Sequence, residues 1–501
     1  MPVTALLKII FMGERFSILV KMMRFPDQCL RRGQRTRSQR WRLPKILDTT
    51  LREGELYKRF KREVRVKIAE LLARVGVDRI ELTIDYPPRT TREDVEAVIE
   101  ALRSYDVEIV LHGRAYRQDV EAAAKYDAEG VGVYLAPTSL HRRFKLGGMS
   151  FEEAKRRLEE AMELAASYGF KYRRATIEDA SRYYLGEDGG IEALARLVDD
   201  LGEAGATVVS VPDTCGMLTP PQAREFFEEL TALCKTPLSA HFHNDYGYAS
   251  ANTVEAALAG ADELHVSVLG IGDRNGIADL YEVSAALIDI HGVGLRIERS
   301  GLKELYDTFS KLTGIRIPFR HPLSLEAQTI RAGVHQSMAL KAPEGYVPLG
   351  KLKHDFERLY FEATTYLSKK LIQRALKNEV DDEVLQEASS ALARLAEQRG
   401  RELGPREIAE ALKSMGLEID ELALQKLLRP QKAYILLNLD PRFPIREKIP
   451  EILSWSEVDQ VDEVYGDADL IIAARLEDDV IDRVKRLFGD AILRIRTLIA
   501  D

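Results

Sequence analysis

The sequence predicts an α/β protein built around a closed (β/α)₈ (TIM) barrel. From residue 45 onward, short β-branched apolar segments alternate with amphipathic helical segments. Eight such units follow one another within about 230 residues, which matches a closed barrel better than an open sheet. A doubly wound sheet is the alternative, but no Gly-x-Gly-x-x-Gly loop follows the first strand to support it.

The predicted strands are short and regularly spaced, at 45–50, 79–84, 108–112, 131–135, 172–176, 207–211, 238–241 and 263–268. The amphipathic helices predicted between them include 63–75, 92–104, 151–168 and 190–204. Consecutive parallel strands need crossover helices of this kind, so the alternation predicts a parallel sheet with right-handed crossover connections.

After the barrel, the pattern becomes helical and then returns to strands. We predict a helix at 302–312, a loop-rich segment at 322–350 and a helical region at 363–428. Residues 432–501 alternate as strand 433–439, helix 445–453, strands 458–465 and 468–475, helix 478–487 and strand 492–497. This βαββαβ order predicts a separate ferredoxin-like module. The domains expected are a basic extension (1–44), the catalytic barrel (45–300), a linker and helical subdomain that completes the active site (301–430) and the terminal module (432–501).

Composition describes an ordinary globular chain. The 501 residues are 45% hydrophobic and 30% charged, which excludes a collagen-like or wholly disordered protein. The three cysteines, Cys29, Cys215 and Cys234, form no disulfide framework, so we expect a reducing, cytoplasmic location.

Charge is divided unevenly along the chain. Residues 1–45 hold eleven Lys and Arg against Glu14 and Asp27, a net +9, which leaves −17 for the rest of a chain whose total is −8. Three interpretations of this basic extension are open: a transit peptide, an arm that contacts RNA or a membrane, or a disordered tail. We favour the disordered tail. The acidic body argues against a nucleic-acid partner, and the absence of an apolar run of about 18 residues argues against a membrane span.

In a barrel, chemistry collects where the strands' carboxyl ends meet the following loops. The polar side chains at those predicted ends include Arg52, Glu53, Glu55, His112, Arg114, Arg174, Thr176, Glu178, Asp179, Asp213, Thr214, His241, His243, Asn244 and Asp245.

His241 and His243 form the strongest local signal. Residues i and i+2 of a strand share one face, so both imidazoles can reach one cation at the barrel mouth. The alternative is a pair of hydrogen-bonded surface histidines. A divalent cation also needs an anionic ligand, for which we choose Glu53 after the first strand, with Asp48 as the alternative.

Such a site suits a 2-oxo acid. The acid would chelate the cation through its carboxylate and ketone oxygens, and the cation would polarise the ketone. Arg52 and Arg174 have the charge to hold carboxylates or a developing oxyanion, although an arginine alone is more often part of a structural ion pair.

Six segments stand out in order along the chain: ILDTTLREGE (46–55), TIEDA (176–180), PDTCG (212–216), HFHNDYG (241–247), GIGDRNG (270–276) and AGVH (332–335). Together they resemble the 2-isopropylmalate synthase and homocitrate synthase family, whose members are metal-dependent barrels that condense acetyl-CoA with a 2-oxo acid. The resemblance covers roughly residues 45–430.

Details within these motifs resemble the homocitrate synthase branch. Ile277, which follows Asn275 and Gly276, occupies a position where isopropylmalate synthases usually carry an Asn. The segment His112-Gly113-Arg114 is similar to one in homocitrate synthases whose His helps to bind the distal carboxylate of 2-oxoglutarate. Three positions depart from the family pattern: Leu56 occupies a position where the family usually has Gln, Asp273 one where it has Glu, and Gly132 one where homocitrate synthases have Asp.

The resemblance implies a role for each matching residue. Glu53, His241 and His243 would bind a divalent cation (Mg, Mn or Zn), and Arg52 would support the oxyanion. His112, Arg174, Thr176 and Thr214 would contact 2-oxoglutarate. The acid-base group that deprotonates acetyl-CoA would comprise Glu178, His335 and Tyr360, with the segment around His335 folded over the barrel mouth or supplied by a partner subunit. Condensation would be followed by hydrolysis of the thioester. The alternative acceptors are 2-oxoisovalerate and pyruvate, which would make the chain a 2-isopropylmalate or citramalate synthase.

The terminal module resembles RAM/ACT-like amino-acid-sensing domains through its turn at Gly466, Asp467 and Asp469. This resemblance implies a homodimer or higher oligomer and feedback inhibition, with lysine as the expected effector. The alternatives are a dimerisation domain without a ligand, and a non-catalytic sensor built on a barrel that has lost its activity.

Overall fold

The computed structural model describes residues 43–84, 90–362, 367–455, 457–475 and 480–500. Within these residues, eight parallel strands form a closed barrel in which each strand pairs with the next and the eighth returns to the first. The strands are β1 (Lys45–Asp48), β2 (Arg79–Thr83), β3 (Glu108–Arg114), β4 (Gly130–Leu135), β5 (Tyr172–Ile177), β6 (Val208–Ser210), β7 (Leu238–Ala240) and β8 (Glu263–Val266). The predicted (β/α)₈ fold is confirmed.

Helices on the outside of the barrel begin and end at local signals. Thr91 caps one helix in a reciprocal capping box with Asp94, and Thr219 precedes Pro220 at the start of another. Gly76 ends a third in the left-handed region, at φ 84°. These helices are α1 (Gly54–Tyr57), α2 (Arg62–Val75), α3 (Arg92–Leu102), α4 (Arg117–Ala123), α5 (Ser139–Phe144), α6 (Phe151–Ser167), α7 (Ser181–Tyr184), α8 (Gly190–Glu203), α9 (Pro220–Leu233), α10 (Ala249–Leu258) and α11 (Leu280–Ala285).

The barrel has a large apolar core between strands and helices and a smaller one inside the ring. The inner core packs Leu47, Val110, Tyr172 and Val208 together. Beside it, Arg79 pairs with Glu263 at 2.7 Å, and the Tyr172 hydroxyl donates to Glu263 at 2.8 Å. The barrel floor is therefore closed by packed side chains, and its open end is the end where the strands terminate.

The chain after the barrel forms a helical subdomain with its own core. Its elements are α12 (Leu302–Thr313), α13 (Gly333–Ala339), α14 (Leu349–His354), α15 (Lys369–Ala375), α16 (Asp382–Arg399), α17 (Pro405–Ser414) and α18 (Glu421–Leu427), with a two-stranded sheet of β9 (Thr329–Ile330) and β10 (Tyr360–Phe361). The segment 322–350, predicted to be loop-rich, contains α13 and the start of α14. Both helices are too short for a clear 3.6-residue pattern.

The C-terminal module has the predicted βαββαβ order. Its elements are β11 (Lys432–Leu439), α19 (Ile445–Leu453), β12 (Val458–Glu463), β13 (Leu470–Arg475), α20 (Val480–Phe488) and β14 (Ile492–Ala500). The antiparallel sheet has the order β12–β13–β11–β14, which is the ferredoxin-like arrangement. Residues 1–42 of the predicted basic extension lie outside the described residues, as does the predicted start of the helix at residue 478.

Among the described residues, none forms a helix that is both long and apolar enough to cross a bilayer.

Candidate active site

A cavity of about 510 Å³ opens at the carboxyl ends of the barrel strands. Nine of the side chains predicted to act in catalysis or binding line it: Arg52, Glu53, His112, Arg174, Thr176, Glu178, Thr214, His241 and His243. They come from five strands and the loops that follow, and barrel closure brings them together.

Glu81 on β2 is the centre of the polar network beneath this cavity. Its carboxylate accepts from Arg52 Nε at 2.6 Å and from Thr49 Oγ1 at 2.7 Å, and it forms an ion pair with Arg174. Burial opposes ionisation of Glu81, but Arg174, Arg52 and His112 hold its pKa well below the usual range. Glu81 therefore stays charged and orients the two arginines.

Arg174 occupies space that Gly132 leaves open. Thr83, His112, Gly132 and Arg174 are consecutive register partners on β2, β3, β4 and β5. A Cβ on Gly132 would lie 2.6 Å from Arg174 Nη2. The missing side chain lets Arg174 reach His112 Nδ1 at 2.9 Å. The departure from the family pattern at position 132 thus has a packing reason in this chain.

Tyr134 also holds the His112 ring in place. Its ring stacks on Tyr134 with centroids 5.3 Å apart and planes 2° from parallel. Burial, together with the charges of Arg52 and Arg174, lowers the pKa of His112 to about 4. At neutral pH this imidazole is therefore uncharged.

A chain of hydrogen bonds sets the tautomer of His241. The Glu263 carboxylate, 3.0 Å from His265 Nε2, can only accept, so His265 Nε2 donates. Burial lowers the pKa of His265, so its Nδ1 carries no proton and accepts from His241 Nδ1 at 3.3 Å. His241 Nε2 is consequently left with a lone pair, which is what a cation ligand requires.

His243 also has a lone pair to offer. Its ring lies 5.1 Å from that of His241, centroid to centroid, and its Nδ1 is buried without a hydrogen-bond partner among the described residues. Burial lowers the pKa of both histidines, which keeps the imidazoles neutral. The backbone of His243 pairs with that of Ile277, so the residue taking the place of the family's Asn is an apolar neighbour.

Glu53, the predicted anionic ligand, lines the same cavity as the two histidines. Burial works against its ionisation, but Arg52 and His243 lower its pKa. Its carboxylate is paired with Arg52 and accepts from the Asp273 amide at 3.2 Å. In the part of the chain that is described, no three metal-ligating side chains form a ready-made cluster. In its chemistry, a set of two neutral imidazoles and one carboxylate suits a divalent cation.

Two further predicted residues have partners of their own at the cavity rim. Glu178 accepts from Lys145 Nζ at 2.7 and 2.6 Å through its two oxygens. Thr214 Oγ1 accepts from the Asp179 amide at 2.8 Å. Both side chains remain at the cavity wall.

His335 and Tyr360 are not part of the cavity lining. His335 lies on α13 and stacks on Tyr346 with centroids 4.1 Å apart. Tyr360 is buried, and its hydroxyl accepts from Arg358 Nε at 3.0 Å. In a single chain the structure therefore does not bring these two residues to the barrel mouth, and their catalytic role stays a prediction.

The predicted effector residues occupy the turn between β12 and β13. Gly466 has φ 136°, and the carbonyl of Asp467 accepts from Asn438 Nδ2 at 3.2 Å. Asp469 Oδ2 accepts from the Leu439 amide at 2.9 Å. These bonds tie the turn to β11, and a role in effector binding stays a prediction.

Sequence reasoning missed Glu81, His265 and Lys145. Glu81 follows Arg79 by two residues, and His265 follows Glu263 by two residues. Two ionisable side chains on the same face of a buried strand were therefore an available signal. Lys145 lies in a loop after α5 and had no comparable signal.

The HMGL-like family model matches residues 43–308, which is the whole barrel with the start of α12.

The chain belongs to the HMGL-like family.

Relatives of this HMGL-like chain include synthases with different acceptors. It is 36% identical over 308 residues to a probable 2-isopropylmalate synthase of Methanopyrus kandleri, covering 61% of this chain and 60% of that protein. It is 34% identical to a homocitrate synthase of Sulfolobus acidocaldarius, covering 60% and 64%. A putative (R)-citramalate synthase of M. kandleri is 33% identical, covering 72% and 70%. The match thus spans less than two thirds of the first two relatives.

Among solved structures, hydroxymethylglutaryl-CoA lyase from Pseudomonas aeruginosa matches with a TM-score of 0.50 at 20% identity, covering 57% of this chain and 99% of that one. At this identity the likeness concerns the fold of the HMGL-like barrel alone.

Proposed function

We propose that this protein is an acetyl-CoA-dependent acyltransferase of the homocitrate synthase type, which condenses acetyl-CoA with 2-oxoglutarate and hydrolyses the thioester. The observation that carries the proposal is the charge of the cavity. Five cationic side chains (Arg52, Arg114, Lys145, Arg174 and Arg274) line it against four acidic ones (Glu53, Asp119, Glu178 and Asp273), together with the imidazoles of His241 and His243. A small acid with a carboxylate at each end matches this lining better than an acid with a branched alkyl end.

His241, His243 and Glu53 are the residues that would hold a divalent cation. When bound, such a cation supplies Lewis-acid polarisation of the acceptor ketone. Asp48 is a poorer choice because it is fully buried, and burial raises its pKa to about 7.

Arg52 is assigned to stabilise the charge that develops on the ketone oxygen. Its guanidinium bridges Glu81 and Glu53, so its position is fixed before substrate binds. A donor that needs no reorganisation during the reaction contributes more than a mobile one. Arg174, which Glu81 holds beside His112, is assigned to bind an acceptor carboxylate.

Proton transfer at acetyl-CoA is assigned to Glu178, with His335 and Tyr360 brought to the mouth by a change in the subdomain or by a second subunit. Lys145 holds both oxygens of Glu178 and keeps the carboxylate at the rim. A base must come within hydrogen-bonding reach of its proton, and Glu178 already lines the cavity.

The terminal module is assigned to regulation. Its ferredoxin-like sheet supports the proposal of a RAM/ACT-like domain that pairs two subunits and binds an amino acid, with lysine as the first candidate. Inhibition of the purified enzyme by lysine, lost on Asp469→Ala, tests this assignment.

A single assay tests the proposed activity. Purified protein is incubated with acetyl-CoA, a divalent metal and one acceptor at a time, and free CoA is measured with a thiol reagent. We expect 2-oxoglutarate to give the highest kcat/KM. Preference for 2-oxoisovalerate or pyruvate would replace homocitrate synthesis with isopropylmalate or citramalate synthesis. No release with any acceptor would reject the synthase.

A further inference from the structure

A second cavity, of about 500 Å³, lies at the junction of the helical subdomain and the C-terminal module. Its wall includes α12, the subdomain segments 323–328, 401–405 and 428–431, and residues of β11, β12 and β13. Among the described residues, none of its lining side chains also lines the cavity at the barrel mouth. A cavity of this size holds a small organic molecule, so it is a candidate for a second ligand site.

Helix α12 connects this junction cavity to the barrel. The side of the helix that carries Leu305 and Phe309 is buried in the barrel core. Lys303, Asp307 and Lys311, which are spaced four residues apart, line the cavity from the other side of the helix. A ligand in the cavity would therefore contact a helix that is packed against the barrel.

The rest of the wall is apolar on the subdomain and charged on the module. Phe361, Leu403 and Leu428 line the cavity and belong to the buried core of the subdomain. Lys432 begins β11 and Arg475 ends β13, and the two are register partners at one end of the sheet. The cavity therefore offers an apolar surface for a carbon skeleton as well as cationic side chains.

Positive charge exceeds negative charge in this cavity. The described lining holds seven Lys and Arg side chains against five Asp and Glu side chains. Lys311, Lys432 and Arg475 lie close enough to the Asp459 carboxylate for their charges to favour its ionised form, and Arg475 Nε is 3.9 Å from it. One carboxylate thus faces three cations, which come from α12 and from two strands of the module.

Two of these cations have uncharged partners. Lys311 Nζ donates to the Trp455 carbonyl at 2.8 Å, and Lys432 Nζ lies 5.3 Å from the centre of the Tyr434 ring. Burial lowers the pKa of Lys311, and the charge of Arg475 acts in the same direction. A negatively charged ligand would stabilise these side chains.

Two other carboxylates near Lys311 are already paired. Asp307 forms an ion pair with Lys303, and Glu457 forms one with Arg483. Their charge is therefore largely balanced by partners of their own.

We propose that the junction cavity binds a small organic anion with at least two negative charges, held by Lys311, Lys432 and Arg475. Carboxylate and phosphate groups are the anions that Lys and Arg bind through charge-assisted hydrogen bonds. The bound anion joins α12 to the module, and this site is separate from both the barrel mouth and the turn at 466–469. The proposal does not depend on the acyltransferase activity.

The test uses two probes, tricarballylate for carboxylates and glycerol 1-phosphate for a phosphate group. Amide hydrogen exchange of the full chain is followed by mass spectrometry at rising probe concentration. The method reports protection segment by segment, so binding at the junction, read at 428–432, is distinguished from binding at the barrel mouth, read at 241–247. We expect at least one probe to slow exchange at 428–432, and the probe that acts at the lower concentration identifies the charged group.

Lys432→Gln is compared with Lys485→Gln, the matched control. Lys485 also belongs to the module, but it lies on α20 outside the cavity and pairs with Asp482. We expect Lys432→Gln to raise the concentration for half-maximal protection about tenfold, since a charge-assisted hydrogen bond is lost. Lys485→Gln should stay within about twofold of the native chain.

Lys311→Gln is a second variant, from α12, and its amide still has a donor for the Trp455 carbonyl. It should raise the same concentration by a similar factor, and circular dichroism verifies that the variants are folded. Absence of protection at 428–432 with both probes overturns the site, as does an equal half-maximal concentration in Lys432→Gln and Lys485→Gln. Native behaviour of Lys311→Gln overturns the link between α12 and the module.

Discussion

Arg174 and Glu81 form an ion pair at the centre of the barrel, with 1% and 0% of their side chains exposed. The pair joins β5 to β2 across the ring, and its members reach His112 and Arg52. Removing one member of a buried pair leaves the other charge uncompensated. The same contact therefore supports the barrel and positions two arginines of the proposed site.

Glu81→Gln should be strongly damaging. We expect kcat/KM to fall at least about 100-fold and the free energy of unfolding to fall by about 3 kcal/mol, because two buried arginines lose their counter-charge. Steady-state kinetics and chemical denaturation measure these effects. Glu108→Gln is the control, since Glu108 also pairs with a barrel arginine, Arg79, but its side chain is 40% exposed. Equal losses in the two variants would contradict the central role of Glu81.

Gly132→Ala should displace Arg174 without unfolding the barrel. The new methyl group would lie 2.6 Å from Arg174 Nη2, so the guanidinium has to move. We expect KM for the acceptor to rise about tenfold, the effect of losing one charge-assisted hydrogen bond. The matched control is Gly294→Ala, whose methyl would meet only Leu43 at 3.7 Å. An unchanged KM in Gly132→Ala would mean that Arg174 does not contact the acceptor.

His243→Ala should remove bound metal. The substitution deletes a partly buried imidazole whose lowered pKa keeps it neutral at pH 7 and whose Nδ1 is buried without a hydrogen-bond partner among the described residues. We expect metal content, measured by mass spectrometry, to fall severalfold, with turnover lost and circular dichroism unchanged. The exposed His291 lies outside the cavity, and His291→Ala should keep both metal and activity. Full metal content in His243→Ala would exclude this residue as a ligand.

Acidification should weaken the barrel floor. His265 and Arg79 overcome burial and lower the pKa of Glu263 to about 2, from an ordinary value of 4.5. A lowered acid pKa contributes stability above pH 4.5, and this is lost as the pH falls toward 2. The group is worth on the order of 3 kcal/mol. Unfolding free energies between pH 6 and 3 should therefore fall more steeply for the native chain than for Glu263→Gln. Parallel curves would show that Glu263 does not keep its charge through the contacts described.

Local patterns determined much of the fold. The eight barrel strands, the βαββαβ module and the polar residues at the strand ends were all predicted, because hydrophobic periodicity and turn residues act over a few neighbouring positions. The i and i+2 spacing of His241 and His243 also indicated that their rings lie close together, and both rings line the cavity with centroids 5.1 Å apart, while their role as cation ligands stays a prediction. Helices α13 and α14 were missed because each spans fewer than two turns.

The sequence by itself determined which side chains end the strands, whereas the tertiary structure alone decided what each one touches. Glu81 contacts Arg174, His265 contacts His241 and Lys145 contacts Glu178. The partners in these pairs are 93, 24 and 33 residues apart in the sequence, and closure of the ring brings them together. Those contacts depend on strand register and on space such as that beside Gly132, which no local pattern encodes. His335 shows the converse, because its motif resembles a family motif while its position in the fold keeps it out of the cavity lining.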